Sequence, residues 1–83
     1  MKITVRYFAS IREAIGQGSE AVETAATTLG ALRDELIARG GAHASSLARG
    51  RAVRMALIQT LSDESATLAD GAEVAFFPPV TGG

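Results

Sequence analysis

The order of predicted elements along this 83-residue chain indicates an α+β fold, a β-grasp, in which a mixed sheet wraps around one main helix. Three observations predict it: an alternating strand opens the chain, one amphipathic helix lies in its middle, and further strands follow that helix. A chain of this length forms one domain. Residues 1–83 are therefore predicted to form a single β-grasp domain, with a flexible C-terminal tail over residues 78–83.

A strand, a short helix and a second strand are predicted before the main helix. The stretch "KITVRYFA" alternates, and one face of its strand carries Ile3, Val5 and Tyr7. In "SIREAIG", Ser10 and Glu13 have the spacing of a capping box, which predicts a short helix that ends before Gly16. The stretch "SEAVETA" is predicted to form the second strand.

The main helix is predicted in "TTLGALRDELIARGG". Thr27 or Thr28 can cap its start, and Gly40 with Gly41 can end it. The following "HASSLARG" is predicted to form one turn at most, too short and too polar for the second full helix of a ferredoxin-like fold. The apolar face of the main helix carries Leu29, Leu32, Leu36 and Ile37.

Two more strands are predicted after the main helix. The third lies in "RAVRMALIQ", with Val53, Met55 and Leu57 on one side. The pair Asp70-Gly71 predicts a turn, and "EVAFF" forms the last strand, which two prolines end. Alternation in that strand places Phe76 inside with Val74, and Phe77 outside.

Composition excludes several classes of function. The net charge is −1 and the basic residues form no dense cluster, so neither nucleic acid nor a membrane surface is an expected partner. No apolar run approaches the 18 residues of a membrane span, and a cytoplasmic location is expected. The chain has no cysteine, which excludes disulfides, thiolate metal sites and cysteine nucleophiles.

Other chemistry-bearing residues are isolated. His43 has no second histidine or cysteine to complete a metal site, and it is predicted to be a solvated loop residue. No phosphate-binding loop sequence occurs, so no nucleotide or other cofactor is expected to bind this chain. Arg49, Arg51 and Arg54 form a loose basic group, predicted to be a solvated face that could also contact an acidic partner.

Three stretches resemble a known family. They are "VRYFASIREAIG", "IQTL" and above all the ending "DGAEVAFFPPVTGG", which resembles the small, ubiquitin-like sulfur-carrier subunits of molybdopterin synthase, the MoaD/ThiS-like group. The resemblance covers essentially the whole chain. One departure is Ile58, where the family often has Asn before the Gln of a hairpin; it leaves the geometry of that hairpin open.

The resemblance implies a carrier without an active site of its own. An adenylating partner enzyme would use ATP to activate the carboxylate of Gly83, and a sulfur donor would convert it to a thiocarboxylate. In the large catalytic subunit of the synthase, that sulfur would pass to a pterin precursor. Gly82 and Gly83 suit this role because a chain without Cβ atoms can thread narrow active sites; the alternative is a frayed terminus.

The same resemblance implies a surface that binds both partner proteins. Phe8 lies on the otherwise polar face of the first strand, and Phe77 faces outward by parity. Leu61 follows the third strand and is expected to be exposed beside them. Pro78 and Pro79 would stiffen the stem of the tail. The predicted partner-binding residues are Phe8, Leu61, Phe77, Pro78, Pro79, Val80 and Thr81.

Three alternatives stay open at the level of sequence. A carrier with the same chemistry could serve thiamine synthesis, cysteine synthesis or tRNA thiolation. A ubiquitin-like modifier could be joined to lysines, and a structural β-grasp module would undergo no activation. The ending "FFPPVTGG" favours the molybdopterin pathway, because it resembles that family's ending more than the thiamine one.

Overall fold

The computed structural model describes residues 1–48, 50, 52–57, 60–62 and 65–79. Five strands and three helices lie in these ranges; the predicted elements occur in the predicted order, and one further strand is added to them. In chain order they are β1 (Lys2–Tyr7), α1 (Ala9–Ile15), β2 (Ser19–Glu23), α2 (Leu29–Ile37), α3 (Gly41–Leu47), β3 (Arg54–Leu57), β4 (Thr60–Ser62) and β5 (Glu73–Phe77).

The five strands form one mixed sheet in the order β2-β1-β5-β3-β4. The central pair, β1 and β5, runs parallel and places Tyr7 opposite Phe76. The other three pairs are antiparallel. Because the last strand lies between the first and the third, the chain must return across the sheet to complete it. This mixed sheet around a main helix is the β-grasp arrangement that the sequence predicts.

The core lies between one face of the sheet and α2. The parity predictions are confirmed: alternate residues of β1 are buried, and in β5 Val74 and Phe76 are fully buried. The rings of Tyr7 and Phe76 stack with their centroids 6.3 Å apart. The largest fully buried side chains are Tyr7, Phe76, Ile3, Leu29, Leu32, Leu36, Leu47, Val5 and Val74.

The prediction of α1 is confirmed, but its predicted capping box is wrong. The helix begins at Ala9 with Phe8 as its N-cap, and no side chain caps it. Ser10 therefore lies inside the first turn, where its hydroxyl is not positioned as an N-cap. The entry is instead made by Ala9 in the left-handed region, with φ 50°. Gly16, with φ 88°, ends the helix as predicted.

The start of α2 follows the prediction, and its end differs. Thr28 caps the helix, and its Oγ1 accepts a hydrogen bond from Ala31 N at 3.2 Å. The helix ends at Ile37, earlier than the predicted glycine pair, and Gly40 instead forms the N-cap of α3.

Helix α3 is longer than the predicted single turn, because it is supported from outside its own sequence. The buried side chain of Arg33 donates from Nε to Leu47 O and from Nη2 to Ala48 O, each at 2.8 Å. These bonds satisfy carbonyl groups at the end of α3 that the helix itself leaves unpaired. A polar sequence is thereby held as a helix against α2.

The chain between β3 and β5 contains one strand that the sequence did not predict and one turn that it did. Strand β4 was not predicted; it pairs with β3 through the register Ala56 to Leu61. Ile58 lies outside the described residues. The predicted Asp70-Gly71 turn is confirmed, with Gly71 at φ 82°.

Candidate functional site

Four apolar residues lie together on the outer face of the sheet. Phe8 is the only large apolar side chain among the described residues that is classed as exposed, at 43%. It lines one depression with Ala56, Ala75 and Phe77. We refer to Phe8, Ala56, Ala75 and Phe77 as the apolar patch. Phe8 is the exposed member of the patch, Ala75 and Phe77 are half-buried, and Ala56 is buried. An apolar surface that includes an exposed Phe is a candidate site for binding another protein.

The register of the sheet explains why these residues meet. Ala75 of β5 lies opposite Ala56 of β3, and Phe77 lies opposite Arg54, so their side chains share the face that α2 does not cover. Phe8 follows β1 directly, and its amide donates to Phe76 O at 3.1 Å. The end of β1 is thereby fixed beside the end of β5.

Charged side chains border the apolar patch. Arg6 Nε lies 3.3 Å from Glu73 Oε2, with the two side chains 51% and 40% exposed. Arg54 is exposed at the patch's other border. An exposed ion pair contributes little to stability, but its charges can orient an approaching partner. The apolar patch therefore has an apolar centre and a charged border, as protein interfaces commonly do.

The stem of the predicted tail leaves the sheet at this patch. Phe77 ends β5, and the half-buried Pro78 and Pro79 follow it. The two prolines line a cleft of about 460 Å³ between α1 and α3, whose walls include Ser10 and Ser45. The last described residues thus run from the apolar patch to this cleft.

The predicted partner-binding residues are brought together as far as the structure describes them. Phe8 and Phe77 share the apolar patch, and Pro78 and Pro79 continue from it. Leu61 lies opposite Ala56 in the β3–β4 register, while its side chain lies outside the description. The other predicted site residues, and two arginines of the loose basic group, also lie outside the described residues: Val80, Thr81, Gly82, Gly83, Arg49 and Arg51.

A cluster of polar side chains lies on the other side of the molecule from the apolar patch. It corrects the prediction for His43. His43 is on α3, not in a solvated loop, and its side chain is only 17% exposed. Its Nε2 lies 2.9 Å from Glu20 Oε2, and its ring meets Tyr7 edge-on with centroids 5.9 Å apart. Sequence spacing could not reveal this contact, because β2 and α3 supply the partners.

Glu20 is the centre of that group. The Tyr7 hydroxyl donates to Glu20 Oε2 at 2.7 Å, and Arg39 Nη1 donates to Glu20 Oε1 at 2.7 Å. Burial alone would raise the pKa of Glu20, but hydrogen bonds from His43, Tyr7 and Arg39 outweigh it and lower the pKa to about 2. Burial, and then the bond to Glu20, raise the pKa of Tyr7 well above its usual range. The group therefore joins β1, β2, α3 and the turn after α2 through a carboxylate.

This geometry predicts the acid stability of the fold. The pKa of Glu20 lies below its ordinary value of 4.5, so its contribution is present above pH 4.5 and is lost as pH falls through about 2. We expect the loss to reach at most about 3 kcal/mol of unfolding free energy. In the Glu20→Gln variant, the unfolding free energy measured with urea should change less between pH 4.5 and 2 than it does in the unchanged chain. Glu13→Gln, at an exposed position of α1, is the control; an equal change in that variant would contradict the assignment.

Two kinds of feature are absent from the part of the chain that the structure describes. Within those ranges, no group of three or more His, Asp or Glu side chains could hold a metal ion. None of the described helices is long and apolar enough to cross a membrane.

The chain is similar in sequence and in fold to known proteins. The chain is 42% identical to the molybdopterin synthase sulfur carrier subunit of Escherichia coli, over 98% of this chain and 99% of that protein. It superposes with a TM-score of 0.79 on the putative molybdopterin converting factor subunit 1 of Pyrococcus furiosus, at 27% identity and covering 96% of this chain and 99% of that one. It also superposes on one chain in a complex of subunits 1 and 2 of the molybdopterin-converting factor from Helicobacter pylori, with a TM-score of 0.70 and 27% identity, covering 100% of this chain and 100% of that one.

A sequence model of the ThiS family matches residues 5–83, nearly the whole chain. The matched range contains the apolar patch, the two prolines and the last two glycines. On this match and on the 42% identity of the Escherichia coli relative, the chain belongs to the ThiS family.

Proposed function

We propose that this chain is the sulfur carrier of molybdopterin synthase. A partner enzyme adenylates the carboxylate of Gly83 with ATP and releases pyrophosphate. A sulfur donor then displaces AMP, which leaves a thiocarboxylate on Gly83. Docked on the large catalytic subunit, the carrier passes this sulfur to a pterin precursor.

The observation that carries the proposal is the position of the apolar patch. Strand β5 runs through the patch, ends there at Phe77, and continues through Pro78 and Pro79 into "VTGG". A surface for a partner protein thus lies where the proposed reactive segment begins. The identity to sulfur carrier subunits over almost the whole chain supports the same reading.

The residue types of the proposed tail suit the chemistry. Gly82 and Gly83 have no Cβ, so the segment around the reacting carbonyl can enter a narrow site and take any backbone angle that the site demands. Pro78 and Pro79 restrict φ and direct the tail away from the sheet. The chain has no cysteine, so no thiol of its own competes for the activated carbonyl.

The proposed reaction requires this chain to bind two partner proteins, and it requires no cofactor site on this chain. In this proposal the large subunit and the adenylating enzyme bind the apolar patch in turn, together with Leu61, Val80 and Thr81. ATP binds the adenylating enzyme, and this chain binds no cofactor. Because activation requires ATP, we place the carrier in the cytoplasm, which fractionation of cells that produce the protein can test.

Mass spectrometry of the intact chain tests the proposed chemistry. The protein is incubated with ATP, sulfide and an adenylating enzyme, and one oxygen should be replaced by sulfur. The product should then restore molybdopterin synthesis with a large subunit. A thiocarboxylate that instead restores only a thiamine-deficient strain would assign the carrier to the thiamine pathway.

The apolar patch should carry most of the binding energy for the large subunit. Phe77→Ala and Phe8→Ala should each weaken binding by more than about 1 kcal/mol, because large apolar side chains anchor interfaces. Titration calorimetry with the large subunit measures the change. Thr4→Ala, also exposed on the outer face but outside the patch, is the control. Equal binding by all three variants would show that the partner docks elsewhere.

A further inference from the structure

Ala9 has an unusual backbone conformation at the junction of β1 and α1. Its φ is 50°, and among the described residues it is the one non-glycine with a positive φ. The left-handed region brings Cβ close to the following carbonyl oxygen, so alanine adopts it at a cost that glycine does not have. A residue that the surrounding structure holds in this region is a candidate for a functional role.

The hydrogen bonds of Phe8 explain why the chain turns at Ala9. Phe8 is extended, with φ −129° and ψ 157°, and its amide donates to Phe76 O at 3.1 Å. Its carbonyl oxygen accepts from Ile11 N at 3.1 Å and from Arg12 N at 3.2 Å, where α1 begins. Phe8 is therefore held by the sheet on one side and by the helix on the other. The change of direction between strand and helix falls on the next residue, Ala9.

The turn separates two apolar side chains that are three residues apart. Phe8 is 43% exposed and belongs to the apolar patch on the outer face of the sheet, whereas Ile11 is 4% exposed and belongs to the core. A change from φ 50° to the ordinary helical value of about −60° would rotate the following chain by about 110° relative to Phe8. Phe8 would then have to leave the sheet or lose its bonds to the helix.

We propose that Ala9 is a positioning residue: its left-handed turn holds the Phe8 ring in the apolar patch, where the partner protein meets it. The inference rests on the proposed function, in that the apolar patch binds the large subunit. The position requires the left-handed angle and not the alanine methyl group. Glycine, which adopts this angle freely, should therefore replace alanine, whereas a β-branched residue, which is a steric outlier there, should not.

The same substitution at two positions tests whether the angle is strained. Ala9→Gly removes the steric cost of the left-handed angle, so the urea midpoint of unfolding should stay the same or rise. Ala44→Gly, in the interior of α3, is the matched control and should lower the midpoint, because glycine is a poor helix former at an ordinary helical angle. A midpoint that falls equally in both variants would show that Ala9 is not strained and would overturn the proposal.

Binding of the large subunit tests whether Ala9 acts through Phe8. Ala9→Val should weaken binding at least about fivefold, which is the effect expected for Phe8→Ala. Ala9→Gly should bind as tightly as the unchanged chain, and so should Ala44→Gly although it loses stability. Normal binding by Ala9→Val would overturn the proposal.

A double variant separates this role from a loss of stability. Ala9→Val combined with Phe8→Ala should bind no more weakly than Phe8→Ala alone, because two changes that remove the same contact are not additive. A substitution that only destabilised the fold would not show this dependence on Phe8. Additive losses would therefore overturn the proposal.

Nuclear magnetic resonance of the free chain reports the turn without any partner. A strong cross-peak between the amide and Hα protons of residue 9 indicates a positive φ, and cross-peaks between the Phe8 ring and the Ala75 methyl group place the ring in the apolar patch. Both signals should be present in the unchanged chain and in Ala9→Gly and should be lost in Ala9→Val. Their retention in Ala9→Val would overturn the proposal.

Two further outcomes are decisive. If Ala9→Val does not fold, Ala9→Leu gives the same comparison, because a bulky side chain also disfavours the left-handed region. If the spectra are as expected but the unchanged chain does not bind the large subunit, the proposed function is wrong and the placement of Phe8 by Ala9 stands.

Discussion

Deleting Gly83 should reduce sulfur transfer at least 100-fold and leave the unfolding free energy unchanged. Activation requires one carboxylate held in line with the α-phosphate of ATP, and loss of a residue shifts that carboxylate by about 3.5 Å. A misplacement of about 1 Å can already cost 100-fold in rate. Stability should not change, because glycine has no side chain to pack and every core residue that the structure describes precedes Pro78.

Two measurements separate this effect from a general loss of function. Thiocarboxylate formation by intact mass should be absent from the deletion variant, while calorimetry should show unchanged binding to the large subunit. The variant should therefore compete with the intact carrier. One residue appended after Gly83 should have the same effect, and Gly82→Ala a graded one. Normal transfer by the deletion variant would show that the Gly83 carboxylate is not the working group.

Phe76→Ala should lower the unfolding free energy by about 3 kcal/mol or more, which is the usual cost of removing a buried aromatic ring. Phe76 is fully buried and stacks on Tyr7, so the substitution leaves a cavity in the core. Phe77→Ala, one residue later, should cost less than about 1 kcal/mol because that side chain faces outward. Urea unfolding followed by circular dichroism measures both changes.

The pair of variants is informative even if Phe76→Ala does not fold. Phe76→Leu retains much of the apolar volume and should fold with a smaller loss, so the position can still be ranked against Phe77. A larger loss from Phe77→Ala than from Phe76→Leu would reverse the assignment of the two faces. Binding measurements should show the same division: substitution of Phe77 should weaken binding of the partner, and substitution of Phe76 should weaken the fold.

Elements with a regular apolar period were predictable, and elements supported by distant contacts were not. The alternation of β1 and β5 indicated which side chains are buried, and Thr28 indicated the start of α2. Helix α3 was underestimated because Arg33 of α2 holds its end. The capping box at Ser10 was misread because Ala9 enters α1 through a left-handed angle, which no sequence signal marks.

The candidate site divides in the same way. Parity alone indicated that Phe77 faces outward, and an apolar residue on a polar face indicated that Phe8 does. Ala56 and Ala75 could not be assigned to the apolar patch, because their meeting depends on the register between β3 and β5. The contact of His43 with Glu20 was missed for a similar reason: it joins residues 23 positions apart on α3 and β2.

The parallel pairing of β1 with β5 has a consequence for how the molecule folds. Thr4 pairs with Glu73 and Tyr7 with Phe76, which are separations of 73 − 4 = 69 and 76 − 7 = 69 residues. Contacts of such high contact order close a long loop before they contribute any stability, and they slow folding. A nascent chain cannot complete its sheet until Phe77 has been synthesised. The apolar patch is therefore completed together with the core, and an unfinished chain lacks the surface that we propose for docking.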